Sequence, residues 1–380
     1  MAHSGRGFAH GLEMKLFECS VCGQPLYFEN DRCESCAHRL GYLHETTELV
    51  PLDPVPEGNG LWMVAGSPQR RYRFCRNAEQ NVCNWLVEPW DQNGFCRACR
   101  HNQTIPALAD PQNLHRWQLI EQAKHRLFYS LILLGLPLRT RGEDRLADGA
   151  ASARKVMTGH DHGLITLNIA EADDVERERR RHSMGEAYRT LLGHFRHEIG
   201  HYYWDRLVRD RPAALARCRQ IFGDERQDYE GALSRHYGEG SPPDWRERYV
   251  TAYASAHPWE DFAESFAHYL HIVDTLETAS AFRLCIEPRI ARGAELSAMI
   301  DFDPRHMDGV QSILREWLPL TFAVNSLNRG MGQPDLYPFV LSQAVVGKLG
   351  FVHDLVRGSP VSRGDESQGF APSMVHPAPA

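Results

Sequence analysis

The stretch that most constrains the fold of this chain is Leu191–Trp204, which contains the sequence His-Glu-Ile-Gly-His. Residues four apart lie on one face of an α-helix, so a helix here would aim the imidazoles of His197 and His201 at one metal ion. Glu198 follows the first histidine, where its carboxylate can take a proton from a water bound to that metal. The pattern predicts a helical zinc site, and an amphipathic helix with two incidental histidines is the alternative.

A catalytic zinc needs a third protein ligand, which the rest of the chain must supply. The compact arrangement with a histidine six residues after the second one is excluded, because Leu207 occupies that position. Asp205, four residues past the second histidine, is the weaker candidate. The stronger candidate is a later helix that Pro258 opens and in which Glu260 and Glu264 lie one turn apart. One of these carboxylates can bind metal, and the other can accept the ring N–H of a ligand histidine.

His-Glu-Ile-Gly-His followed by Glu-Asp-Phe-Ala-Glu resembles the glutamate-zincins, such as the thermolysin-like peptidases and anthrax lethal factor. In that clan the first glutamate of the later motif binds zinc. The resemblance therefore implies that Glu260 is the third ligand and that Glu264 orients a ligand histidine. Tyr253, seven residues before Glu260, matches a tyrosine that stabilises the oxyanion in lethal-factor-like enzymes, and ordinary packing is its alternative role.

Eight of the ten cysteines lie within the first hundred residues, in two groups of four. The first group has two Cys-x-x-Cys pairs separated by ten residues, which is typical of a zinc ribbon. The second group has one such pair. Its segment is too short for a large core, so a second structural zinc explains it better than four buried thiols. The groups are Cys19, Cys22, Cys33 and Cys36, and Cys75, Cys83, Cys96 and Cys99.

The length of 380 residues and the 42% of hydrophobic residues allow two or three domains with a real core. We expect an α+β protein that begins with a zinc ribbon at 14–50 and a second four-cysteine module at 51–110. A mainly helical, zincin-like metallopeptidase domain with a small sheet is expected at 111–356. Residues 357–380 are rich in Pro, Ser and Gly and are expected to form a disordered tail.

Residues 163–169 alternate apolar and polar side chains, as a strand does. Zincin-like domains place a sheet edge beside the active-site helix, where an extended substrate can add as a strand. By this analogy Asn168 is expected to contact substrate. The charged run at 171–182 is interpreted as a solvated helix or loop, and the insertion between the two metal-binding helices is interpreted as helical.

No apolar run reaches the roughly 18 residues that a membrane span needs, and residues 1–13 contain no apolar signal core. We therefore expect a cytoplasmic protein, in which reduced thiols favour metal sites over disulfides. Residues 1–110 hold 10 Lys plus Arg against 13 Asp plus Glu, so the zinc modules lack the basic surface of a nucleic-acid reader. The expected partner is a peptide or protein substrate, and nothing in the sequence indicates the oligomeric state.

Together, these motifs resemble a bacterial family of zinc-ribbon proteins described as zinc-binding metallopeptidases, over about 14–356. The resemblance implies a peptidase with one catalytic and two structural zinc ions. His197, His201 and Glu260 would hold the catalytic ion, and Glu198 would activate its water. Two alternatives remain open: a non-enzymatic zinc-ribbon interaction module on a zincin scaffold, and a nucleic-acid-associated protease.

Overall fold

A computed structural model describes residues 16–56, 58–140, 159–161, 164–183, 186, 189–290 and 296–358 of the chain. Some of the segments named above lie outside these residues: the first two residues of the expected ribbon, the first residue of the expected strand, and the expected tail from residue 359 onward.

The N-terminal part of the chain consists of short antiparallel strands. β1 (Leu16–Glu18) and β2 (Pro25–Tyr27) form a hairpin, and five more strands form one sheet in chain order. These five are β3 (Arg39–Leu43), β4 (Glu48–Pro54), β5 (Trp62–Val64), β6 (Ser67–Phe74) and β7 (Leu86–Val87). One sheet therefore takes strands from both expected cysteine modules.

The rest of the described chain is mainly helical, and two small hairpins accompany the helices. The helices are α1 (Pro111–Leu133), α2 (Asp174–Ser183), α3 (Leu191–Trp204), α4 (Pro212–Phe222), α5 (Tyr229–Glu239), α6 (Trp245–Arg248), α7 (Pro258–Ala281), α8 (Val310–Gly330) and α9 (Gln343–Val356). The hairpins pair β8 (Gly159–Asp161) with β9 (Leu164–Thr166) and β10 (Cys285–Ile286) with β11 (Ala298–Met299). The expected α+β class is confirmed. None of the helices described here is both long and apolar enough to cross a membrane.

The sequence defines where the two central helices begin. Thr190 caps α3, because its side chain accepts a hydrogen bond from the backbone N–H of Gly193 at 3.0 Å. His257 caps α7 in the same way, with its ring Nδ1 accepting from the N–H of Trp259 at 3.1 Å. Pro258 occupies the first turn of α7, where its fixed φ suits the helix and its missing N–H costs nothing.

Helices α3 and α7 come into close contact at Gly200. A Cβ atom on this residue would lie 3.0 Å from the Cα atom and 3.1 Å from the carbonyl oxygen of Ala263 on α7. Beside this contact the rings of Tyr203 and Phe266 stack, with centroids 5.4 Å apart. The absence of a side chain at Gly200 thus lets the two helices approach closely.

Replacing Gly200 with alanine is expected to lower the free energy of unfolding by up to about 2 kcal/mol, measured by urea denaturation. Alanine favours a helix by about 1 kcal/mol over glycine, but overpacking a tight contact costs about 1–3 kcal/mol. The α7 backbone cannot yield as a flexible side chain would. Gly238→Ala on α5 is the matched control, because a Cβ there meets no atom within 4 Å and should stabilise the chain. A Gly200→Ala variant as stable as the control would contradict the packing described here.

The prediction of a strand at 163–169 is wrong for its second half. β9 ends at Thr166, and a 3-10 turn occupies Ile169–Ala172. The side chain of Asn168 accepts a hydrogen bond from the backbone N–H of Ala170 at 3.0 Å. This local bond offers the backbone an alternative to the strand ladder, and the alternating pattern alone does not reveal it.

The interpretation of residues 171–182 as a solvated helix or loop needs correction at its start. Helix α2 begins at Asp174, and Glu171 before it is completely buried. Glu171 makes ion pairs with Arg180 at 2.6 Å and with Arg189 at 3.0 Å. Burial alone would raise the pKa of Glu171, but the guanidinium groups and His194 hold it below its usual value. The run therefore ties α2 to the segment that precedes α3.

Candidate metal centres

Helices α3 and α7 bring the three expected ligands of the catalytic metal together. The Nε2 atoms of His197 and His201 are 3.2 Å apart. Oε2 of Glu260 lies 3.0 Å from Nε2 of His197 and 3.5 Å from Nε2 of His201. Ligand atoms bound at about 2.0–2.2 Å to a tetrahedral zinc lie roughly 3.3–3.6 Å from one another. The spacing and the chemistry of these donors fit zinc.

Glu264, one turn after Glu260, contacts the other nitrogen of the first histidine. Its Oε1 lies 2.7 Å from Nδ1 of His197, and its Oε2 accepts a hydrogen bond from the hydroxyl of Thr251 at 2.7 Å. When the proton of His197 is on Nδ1, the lone pair is on Nε2. This nitrogen faces the other two potential metal ligands, Nε2 of His201 and Oε2 of Glu260. Burial opposes ionisation of Glu264, but the hydrogen bond from His197 lowers its pKa to about 2.

Tyr229 is a contact of the metal cluster that the sequence did not identify. It begins α5, and its hydroxyl donates a hydrogen bond to Oε1 of Glu260 at 2.6 Å. This bond occupies one carboxylate oxygen and leaves Oε2 facing the imidazoles. Trp259 covers the second histidine, with its ring centroid 3.9 Å from that of His201. Tyr229 precedes Glu260 by 31 residues in a helical insertion, where no motif spacing marks it.

Replacing Tyr229 with phenylalanine is expected to weaken zinc binding at this centre by about 10- to 100-fold, the usual effect of losing a partner of a ligand. The ring is retained, so only the hydrogen bond to Glu260 is lost. The measurement is competition with a chelator too weak to strip thiolate sites. Tyr237→Phe is the control, because Tyr237 is an exposed tyrosine on the same helix. Equal zinc affinity in the two variants would show that Tyr229 does not support the ligand.

Glu198 and Tyr253 lie beside the cluster. Glu198 is only 8% exposed, and burial raises its pKa while the neighbouring imidazoles oppose the rise. The ring centroid of Tyr253 is 5.9 Å from that of His197, at the start of a short 3-10 turn. Burial raises the pKa of Tyr253, so its hydroxyl keeps its proton at neutral pH.

Two residues considered from the sequence lie outside the cluster of potential ligands. Asp205 sits in a π-helical turn after α3 and forms an ion pair with Arg209. Asn168 caps the 3-10 turn after β9, although the β8–β9 hairpin does contact α3 through β8.

A pocket of about 320 Å³ opens next to the metal cluster. Tyr229 and Trp259, which contact the ligands Glu260 and His201, form part of its wall. The complete lining is Trp204, Arg209, Glu225, Tyr229, His257 and Trp259. Aromatic rings dominate this surface, so the pocket suits an apolar or aromatic group.

The first cysteine group forms a compact cluster in the strand region. Sγ of Cys19 lies 3.6 Å from that of Cys36, and Sγ of Cys22 lies 3.6 Å from that of Cys33. Thiolates bound at about 2.3 Å to a tetrahedral zinc are roughly 3.8 Å apart. Gly23, with φ of +74°, completes the turn after the first pair and donates its N–H to the carbonyl of Cys19 at 2.8 Å. The four sulfurs fit a structural zinc site.

The second cysteine group also converges, and all four sulfurs lie within 4.8 Å of one another. Sγ of Cys83 is 3.8 Å from that of Cys96. Backbone N–H groups donate to the sulfurs: Cys96 to Cys75 at 3.4 Å, and Cys99 to Cys96 at 3.3 Å. Such donors stabilise metal-bound thiolates, and these sulfurs too fit a structural zinc site.

The structure thus combines tetracysteine sites typical of zinc ribbons with a helical domain that carries a two-histidine, one-glutamate site. Residues 113–355 match the family described as "Putative zinc-binding metallo-peptidase", and residues 16–110 match a zinc-ribbon domain. The chain belongs to this metallo-peptidase family, as its resemblance in sequence indicated.

The chain is also similar to uncharacterized mycobacterial proteins. Uncharacterized protein Mb2598c of Mycobacterium bovis and uncharacterized protein Rv2568c of Mycobacterium tuberculosis are each 41% identical to it over 351 residues. The match covers 90% of this chain and 95% of each relative. No solved structure is significantly similar to the chain.

Proposed function

We propose that this chain is a zinc-dependent peptidase of the glutamate-zincin type. The main support is that His197, His201 and Glu260 converge as three potential metal ligands. The buried carboxylate of Glu198 lies next to them but is not one of the potential ligands. Structural zinc sites are closed by four protein ligands, whereas catalytic sites use three and leave a position for water or substrate. A site of three ligands plus an adjacent base is what peptide hydrolysis needs.

In this proposal each residue has a separate role. A bound zinc ion would supply Lewis acidity, which lowers the pKa of water and polarises the scissile carbonyl. Glu198 accepts the proton of the attacking water and passes it to the leaving amine, and its raised pKa makes it a stronger base in the first of these transfers. Glu264 orients His197, and the hydroxyl of Tyr253 donates a hydrogen bond to the developing oxyanion.

The substrate in this proposal is a peptide or an unfolded segment of a protein. The aromatic pocket would receive one apolar side chain, and an extended substrate would run past the β8–β9 hairpin, with Asn168 among its contacts. We propose a cytoplasmic enzyme with one catalytic and two structural zinc ions. The acidic balance of residues 1–110 disfavours nucleic acid as a partner, and the cysteine sites would then serve stability or protein recognition.

The test is a cleavage screen with the zinc-loaded, full-length protein and a diverse peptide library, read by mass spectrometry. We expect cleavage on the amino side or the carboxyl side of apolar residues. It should stop when a chelator removes the metal and resume when zinc is added. If the protein binds the third zinc ion but cleaves no peptide, the peptidase proposal fails and an interaction module on a zincin scaffold becomes the better explanation.

A further inference from the structure

Helix α1 directs a histidine at the second cysteine cluster. Nε2 of His125 lies 3.4 Å from Sγ of Cys83, 3.5 Å from that of Cys99 and 4.0 Å from that of Cys96. His125 is 4% exposed, and its ring is held against that of Trp85 with centroids 5.2 Å apart. This histidine belongs to the metallo-peptidase match, whereas the cysteines belong to the zinc-ribbon match.

The cluster therefore contains more potential ligands than a zinc ion can bind. A structural zinc binds four ligands, and the four cysteine sulfurs already lie within 4.8 Å of one another. Glu121 also approaches, with Oε2 at 3.6 Å from Sγ of Cys99, but this carboxylate is engaged by Lys124 at 2.7 Å and by Trp117 Nε1 at 3.2 Å. The remaining group, the ring N–H of His125, can donate to the sulfurs.

Such a donor has a physical purpose here. Zinc with four thiolates carries a net charge of −2, and Cys75, Cys96 and Cys99 are each at most 2% exposed. Cys83 is partly accessible, but water is excluded from these three sulfurs, so protein N–H groups must offset most of that charge. The backbone supplies some of these groups from within the ribbon, and Nε2 of His125 is placed to supply one from outside it.

We propose that His125 donates its Nε2–H to the thiolates of Cys83 and Cys99, and that the second zinc site is thereby a metal-dependent joint between the zinc-ribbon region and the metallo-peptidase domain. The ribbon cysteines bind the zinc ion, which keeps them deprotonated. The resulting thiolates accept the hydrogen bond from His125 on α1. Metal loading of the ribbon then stabilises the docked position of α1.

Helix α1 continues this connection toward the candidate catalytic centre. Its Tyr129 donates a hydrogen bond to Glu277 on α7 at 3.0 Å, and its Ser130 donates one to Asp274 on α7 at 2.7 Å. Asp274 also pairs with Arg196, which immediately precedes His197 on α3. The second zinc site thus supports, through one helix, both helices that carry the catalytic ligands.

The test measures metal binding and needs no peptidase activity, so it is independent of the proposed function. It uses full-length protein in a His197→Ala/His201→Ala background, in which only the two cysteine clusters hold metal. Zinc transfer to a chromophoric chelator should show that His125→Ala releases one of the two ions about 10- to 100-fold faster and leaves the other unchanged. His115→Ala, an exposed histidine on the same helix, should release zinc like the parent.

Two substitutions separate the hydrogen bond from packing. His125→Gln keeps an N–H donor, and His125→Phe keeps a ring without one, so glutamine should hold zinc longer than phenylalanine. Cobalt-loaded parent and His125→Ala proteins should give the same tetrathiolate charge-transfer and ligand-field bands. Unchanged release in all three variants would overturn the proposal, because His125 would only pack. The proposal would also be overturned if the cobalt spectrum of the parent indicated three sulfur ligands and one nitrogen ligand and if it changed in His125→Ala. His125 would then be a metal ligand.

Discussion

Glu198→Gln is expected to lower kcat/KM for peptide cleavage by about 10²- to 10⁴-fold, the usual contribution of a positioned general base. Glutamine has the same shape and fills the same buried position, but its amide cannot accept the proton of the attacking water. The substitution leaves His197, His201 and Glu260 intact, so zinc should remain bound. The measurement combines kcat/KM on a peptide from the screen with elemental analysis of zinc.

The control for this variant is Glu230→Gln, which changes an exposed glutamate on α5 and should retain full activity. A Glu198→Gln protein with full zinc and unchanged kcat/KM would contradict the assignment of Glu198 as base. A protein that loses both zinc and activity would also contradict it, since Glu198 would then be needed to hold the metal.

Lys348→Met is expected to lower the free energy of unfolding by about 1–3 kcal/mol, the usual cost of leaving a buried polar group without its partner. Nζ of Lys348 on α9 lies 2.6 Å from Oδ2 of Asp261 on α7, and the two side chains are 6% and 1% exposed. Burial already raises the pKa of Asp261 to about 7 against the opposing effect of Lys348. Methionine keeps the apolar stem and leaves the carboxylate without its cation. Urea denaturation measures the change.

A double-mutant cycle separates this pair from general disruption. Lys348→Met/Asp261→Leu should be less destabilised than the sum of the single variants, because neither buried group is then left without its partner. The Arg329–Asp335 pair is the exposed counterpart, with Arg329 61% exposed, and Arg329→Met should cost less than about 1 kcal/mol. Two results would show that the buried pair does not hold α9 on α7. One is a loss of stability in Lys348→Met as small as that in Arg329→Met, and the other is a double variant whose loss equals the sum of the two single losses.

The parts of the structure that the sequence could predict are those encoded by local spacing. The four-residue interval places the imidazoles of His197 and His201 on one face only if the segment is a helix, and α3 is that helix. Pro258 and the acidic residues after it predict the start of α7 where the structure has it. The cysteine pairs likewise predict clusters, because short turns alone bring each pair together.

The parts that could not be predicted depend on contacts between distant segments. Tyr229 reaches Glu260 from a helical insertion, and His125 reaches the second cysteine cluster from the first helix of the other domain. Neither contact follows from a fixed spacing, because docking of helices determines both. The strand expected through Asn168 failed for a different reason, since a side-chain cap competed with the strand pattern.

The most direct test of the central claim, that α3 and α7 form a catalytic zinc centre, is the zinc content of the full-length protein purified without chelator. The comparison is with the His197→Ala/His201→Ala variant, after circular dichroism shows that both proteins are folded. We expect three zinc ions per parent chain and two per variant chain, because only the site on α3 and α7 is removed. Two zinc ions in both proteins, with none gained by the parent when zinc is added, would contradict the claim.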